Sequence, residues 1–144
     1  MCDGAGVIDG SYVLHPIGWV ESPLTDPDLA PKQGDEGAPA AWVVFGPTVR
    51  DGQVDLRVGA DVLLLTWLDR ARRDVLAVHP RDDPTRALTG VFSTRSQDRP
   101  NPIGLHRVRI TSIDGTRIGV QSLEAVHGTP VLDVKPVLDR DTER

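Results

Sequence analysis

The chain has 144 residues, 39% hydrophobic and 26% charged, with a formal net charge of −5. That length supports one domain with a real core but not two, and the composition excludes a chain too polar to fold. The single cysteine, Cys2, excludes an internal disulfide framework and a cysteine-based metal site, the acidic balance excludes a general nucleic-acid coat, and no apolar run approaches a bilayer span, so a cytoplasmic protein with no membrane association is expected.

Residues 1–11 (MCDGAGVIDGS) read as a flexible leader, whose Gly4 and Gly6 follow no strand and make no dinucleotide fingerprint. Residues 12–20 (YVLHPIGWV) read as a first strand, with Pro16 marking an edge or a bulge. SPLTDPDLAPKQGDEGAPA is turn chemistry throughout, a loop of 19 residues that exceeds what connection requires and therefore points to function. AWVVFG and DVLLLTWL are apolar runs of strand length, and DVLAVHP is a plausible third. Residues 80–90 return to loop. The stretch GVFSTRSQDRPNPIG is dense in Pro, Asn and Arg, so an ordered conformation is expected to form around a partner. LHRVRITSI then alternates cleanly, Asp114-Gly115 predicts a two-residue type I′ turn, and TRIGVQSL returns as the partner strand. No segment predicts a long amphipathic helix. The pattern is mainly β with irregular polar loops and little helix, which favours a barrel or closed sheet over residues 12–138, followed by a tail over 139–144.

Charge is segregated: from residue 70 to 109 the chain carries Arg70, Arg72, Arg73, Arg81, Arg86, Arg95, Arg99, Arg107 and Arg109 against Asp74, Asp82, Asp83 and Asp98. An anion site and a plain solvated face explain this equally well. Common catalytic templates are absent: no Gly-x-Ser-x-Gly, no Walker loop, no His-Glu-x-x-His, and His15, His79, His106 and His127 are too scattered for a metal site, so no metal is expected. Three polar loops remain, each with a residue suited to a zwitterionic or ribose-bearing ligand: Gln33, Arg95, and the carboxylates Glu124 and Asp133. Each also has a bland reading. Pro100, Pro102 and Gly104 could shape the approach to a strand, Gly128-Thr129-Pro130 a turn, and Asp133 with Lys135 a surface ion pair.

Taken together, GVFSTRSQDRPNPIGL followed about twenty residues later by SLEAVHGTPVLDVKP resembles the signature of the TsaA/TrmO family of S-adenosylmethionine-dependent tRNA methyltransferases, in a short form without the C-terminal domain of longer relatives. HPIGWVESPL and PKQG resemble that family's first strand and loop, so the resemblance runs from about residue 14 to 138. It implies a single-sheeted β-barrel, a homodimer, S-adenosyl-L-methionine as cofactor, and N6-methylation of threonylcarbamoyl-adenosine beside a tRNA anticodon. The cofactor residues it implies are Gln33 and Gly34 of the Pro-basic-Gln loop, Asp69 and Arg70 after the central strand, Arg95 of Thr-Arg-Ser, Leu105 after Pro-Ile-Gly, and Ser122, Leu123 and Glu124. Arg95 would pair with the methionine carboxylate, Glu124 would accept from ribose hydroxyls or the amino group, and backbone groups with Leu105 and Leu123 would hold adenine.

The acceptor side is then expected at Arg72, Arg73, Arg81, Arg86, Arg99, Asn101, His127 and Lys135. Four positions depart from the family pattern: Asp69 stands for a usual His, His127 for the Asp of Asp-Gly-Thr-Pro, Glu124 for Asp, and Val137 for Tyr. Two alternatives follow, a methyltransferase of the same fold acting on a small nucleophile and a catalytically inactive cofactor-binding regulatory protein.

Overall fold

The structure, a computed structural model, describes residues 10–26, 30–31 and 37–138. Residues 1–9 of the expected leader over 1–11, the tail over 139–144, and Gln33 and Gly34 lie outside the described residues. The strands are β1 (Gly18–Glu21), β2 (Ala41–Phe45), β3 (Asp61–Trp67), β4 (Ala77–Val78), β5 (Thr89–Gly90), β6 (Ile103–Asp114), β7 (Arg117–Gln121) and β8 (Pro130–Pro136). Six of them pair antiparallel in the order β1-β2-β7-β6-β3-β8, and β8 pairs back onto β1, so the sheet closes on itself. β4 and β5 form a separate two-stranded ribbon. Among the described residues helix is confined to short 3-10 segments such as Pro47–Gln53. The fold is mainly β with little helix, and no helix among the described residues is long and apolar enough to cross a membrane.

Alternation drives the closure, because successive side chains of a strand point to opposite faces. In β3, Val62, Leu64 and Thr66 are buried while their neighbours are not, and in β6 the buried set is Gly104, His106, Val108 and Ile110. The register sets Val62 against Val108, Leu64 against His106 and Thr66 against Gly104. Val20, Val43, Ile118, Val120, Leu123 and Val131 complete the interior from the other walls. Burying each such aliphatic side chain contributes about 1.5–3 kcal/mol.

Three expected elements differ. The first strand begins at Gly18 rather than residue 12: Tyr12, Val13 and Leu14 are exposed, and ladder bonding starts only with Ile17 N–H donating to Val131 O at 2.8 Å. Pro16, without an N–H, is the physical break. DVLAVHP supplies only the two residues of β4, since Leu76 lies exposed and the preceding turn is bent by Arg72 and Asp74. The hairpin pairs Asp114 with Arg117, so its central residues are Gly115 and Thr116; only Gly115 has positive φ (+61°), the φ pattern of a type II′ turn rather than type I′ on Asp114-Gly115. Gln53 Nε2 donates to Gly115 O at 2.8 Å and anchors this turn from the 3-10 segment.

Candidate functional site

The Arg-rich loop is ordered by its own arginines. The Arg99 guanidinium donates to the carbonyls of Val91 and Thr94, closing residues 91–99 around it. Its backbone N–H donates to Arg72 O, and Asp98 Oδ1 accepts from Arg72 N at 2.8 Å. Arg73 donates to Pro100 O at 2.8 Å and to Asn101 Oδ1 at 3.0 Å, while its guanidinium lies 5.1 Å from the Trp67 ring centre. Such bonds to a charged donor are the strong ones, and here they lace residues 91–102 onto 72–73. Arg72 is further paired with Asp74, whose carboxyl it holds below the usual range.

Against this braced loop lies a cavity of about 450 Å³, walled by the end of β3 with Leu68, Asp69 and Arg70, by Phe92 and residues 94–97, by the start of β6, and by Glu124, Ala125 and Val126. Its floor holds a chain of polar groups inside the closed sheet. Thr66 Oγ1 lies 2.7 Å from His106 Nε2, and His106 Nδ1 lies 2.5 Å from Glu124 Oε1. A carboxylate can only accept, so Nδ1 carries the shared proton and, in the neutral imidazole, Nε2 accepts from the Thr66 hydroxyl. Gly104 makes room: a Cβ there would lie 2.3 Å from Thr66 Oγ1 and 2.7 Å from His106 Nε2. The order hydroxyl, imidazole, carboxylate matches a hydrolytic triad, but Thr66 is fully buried and outside the cavity lining, so no scissile bond can reach it. His106 was not a site candidate in the sequence; its signal is a histidine at an inward position of an otherwise apolar strand face.

A second cavity of about 620 Å³ opens on the outer face of β3 and β6, lined by Asp61, Arg95, Leu105, Arg107, Arg109, Ser122 and Glu124 among others. Arg109 at 2.9 Å and Arg107 at 3.1 Å grip Asp61 and, in that order, hold its carboxyl below the usual range. Ser122 has φ +60°, a left-handed conformation uncommon for a residue with a side chain. That turn sends Leu123 into the core and brings Glu124 to the cavities.

Of the expected cofactor residues, Asp69, Arg70, Arg95, Leu105 and Glu124 line the first cavity, and Arg95, Leu105, Ser122 and Glu124 line the second. Leu123, also expected there, is 0% exposed with its side chain packed in the core, and it lines neither cavity. Arg95 is exposed, lines both cavities, and makes no hydrogen bond or ion pair among the described residues. Arg70 donates to Thr25 O at 3.1 Å.

The expected acceptor residues scatter. Arg73, Arg99 and Asn101 spend their side-chain polar groups on the loop itself, the Arg72 guanidinium pairs with Asp74 at 3.1 Å, and Arg86 pairs with Asp83 at 3.7 Å. Arg81 joins Arg70 and Arg95 around a third cavity that continues from the first. His127 Nδ1 accepts from Ser22 N–H at 3.2 Å and lines neither main cavity. Lys135 pairs with Asp133 at 3.3 Å on the outside of β8, the plain surface ion pair. Among the described residues no group of three or more His, Cys, Asp or Glu is placed to hold a metal ion.

Residues 19–141 match the family model described as the tRNA-methyltransferase O N-terminal domain. An S-adenosyl-L-methionine-binding protein of Archaeoglobus fulgidus is 37% identical over 123 residues, covering 85% of this chain and 87% of that relative. A second protein of the same organism, named a probable S-adenosyl-L-methionine-binding protein, is 40% identical over 123 residues, but the match spans 33% of its length. The crystal structure of TrmO from Pseudomonas aeruginosa superposes with a TM-score of 0.71 at 26% identity, over 95% of this chain and 61% of that one.

Proposed function

The chain belongs to the tRNA-methyltransferase O N-terminal domain family, and from that premise we propose that it is an S-adenosyl-L-methionine-dependent methyltransferase that N6-methylates threonylcarbamoyl-adenosine next to a tRNA anticodon. The observation that carries the cofactor part is Arg95, an exposed guanidinium lining two cavities without a partner among the described residues. A cavity of about 450 Å³ with apolar walls and a few converging polar groups suits a ligand of that size. Arg95 would take the methionine carboxylate in a bidentate fork. Leu65, Leu68, Leu105 and Phe92 offer apolar surface for the adenine, and Asp69, Arg70 and Glu124 offer polar groups. The relatives named for binding this cofactor support the reading. The sulfonium supplies the reactive methyl, so the chain's task is to align the acceptor and exclude water.

The closing of the sheet supports a single-sheeted barrel spanning residues 12–138, which we take to act in the cytoplasm as a homodimer. The match to the longer TrmO structure and the cluster of Arg70, Arg81 and Arg95 support tRNA as acceptor. The self-bonding of Arg72, Arg73 and Arg99 favours a second reading, a small nucleophile in place of RNA. The test is incubation with labelled cofactor and tRNA that carries threonylcarbamoyl-adenosine without the methyl, read by nucleoside mass spectrometry. One methyl per modified adenosine is expected. Cofactor binding without transfer to any tRNA would favour the small nucleophile or the inactive binder.

A further inference from the structure

We propose that Glu124, aligned from behind by His106 and Thr66, faces the transferable methyl group and takes the proton that the methyl acceptor gives up. The inference rests on the cofactor reading above and assigns one end of that site. Its ground is where the two cavities meet. They share Arg95, Leu105 and Glu124 among the described residues, and a reaction of two substrates needs one place where both arrive. Arg95 would repel a sulfonium and cannot accept a proton. Leu105 is inert. Among the described residues, Glu124 is the one anionic group at the junction.

Its side chain is also fixed, which a mere surface carboxylate is not. Oε1 lies 2.5 Å from His106 Nδ1, and His106 is held in turn by Thr66 at 2.7 Å. His106 is 5% exposed and Thr66 is 0% exposed, so both spend core positions on holding this carboxylate. Gly104 is the opposite partner of Thr66 and leaves the space they occupy. Oε2 takes no part in the bond to His106. A preorganised carboxylate contributes to a transition state without the cost of being ordered at that moment.

In the step, the acceptor N–H gains a carbon–nitrogen bond to the methyl, the carbon–sulfur bond breaks with its electron pair staying on sulfur, and the acceptor proton passes to Glu124, which later releases it to water. This help matters for an acceptor whose nitrogen lone pair is delocalised, such as a carbamoyl or purine exocyclic N–H. A simple amine already has a free pair. The second cavity, polar through Arg107, Arg109, Gln121 and Ser122, is the acceptor's side.

Calorimetry without any acceptor tests this. S-Adenosylhomocysteine lacks the positive centre, whereas sinefungin carries an ammonium where the transferable methyl would stand. The intact chain should prefer sinefungin by about tenfold or more, the worth of a hydrogen bond to a charged group. Glu124→Gln should bring the two ligands near parity, with the loss falling mainly on sinefungin. His106→Leu should erode the preference in the same way, and His106→Asn, whose amide can stand in for Nδ1, should keep most of it. Equal weakening of both ligands in Glu124→Gln would make Glu124 a ribose or amino contact and overturn the inference, as would an undiminished preference in His106→Leu. Binding of neither ligand by the intact chain would instead remove the cofactor reading itself, and this inference with it.

Discussion

The interior of the closed sheet and the loop over residues 91–102 are ordered by opposite means. Inside, Leu64, Ile110, Ile118 and Val131 are fully buried aliphatic groups that need no partner beyond shape. In the loop, Arg99 from within and Arg73 from outside close on the carbonyls of Val91, Thr94 and Pro100, so order there comes from charged donors closing on backbone acceptors. The difference teaches how to read an arginine cluster. Residues that look in sequence like a phosphate-binding face are here largely the loop's own frame, whereas Arg95 lines two cavities and makes no hydrogen bond or ion pair among the described residues.

The largest effect that could break this contrast is in the sheet. Leu64→Ala should cost about 2–5 kcal/mol by chemical denaturation, from lost burial plus the cavity left behind, and the whole fold should unfold as one unit. Arg99→Met should cost about 1–3 kcal/mol, because two carbonyls lose a charged partner. Hydrogen exchange should place that loss locally, with amides of residues 91–99 opening faster and those of β6 unchanged. Equal loss of protection in β6 would show that loop and sheet are one cooperative unit.

This division also explains what could be foreseen. The hairpin of β6 and β7 was legible because LHRVRITSI alternates over a long stretch, although the turn slipped by one residue once Gly115 took the first central position. The first strand was overextended because Tyr12 and Val13 have strand chemistry but no neighbour to pair with. Within the site, Arg95, Leu105 and Glu124 were legible from the long motifs, and the structure brings them together at the meeting of two cavities. The Thr66–His106 support was not, because those residues are 40 positions apart and meet only through the β3–β6 register. Nor could sequence tell an arginine bound to a carbonyl from one with no bond among the described residues.

The smallest effect sharpens the contrast on the outer face. Asp61 has its folded pKa lowered by Arg109 and Arg107, so the stability it contributes is present above its unfolded value near about 3.9 and is lost as pH falls through the lowered folded value. Asp61→Asn should therefore be slightly less stable than the parent at neutral pH, with the gap closing in acid. Salt should shrink the gap as well, since the pair is exposed. A gap that persists in acid would mean Asp61 acts through packing instead.

The central claim is that Arg95 is the arginine held free for the cofactor, and the most direct measurement is calorimetric titration of S-adenosylhomocysteine into the parent chain and Arg95→Ala. One saturable site per chain is predicted, with affinity reduced about tenfold or more by the substitution, because the ligand carboxylate loses a charged partner. Saturable binding of unchanged affinity in Arg95→Ala would contradict the account.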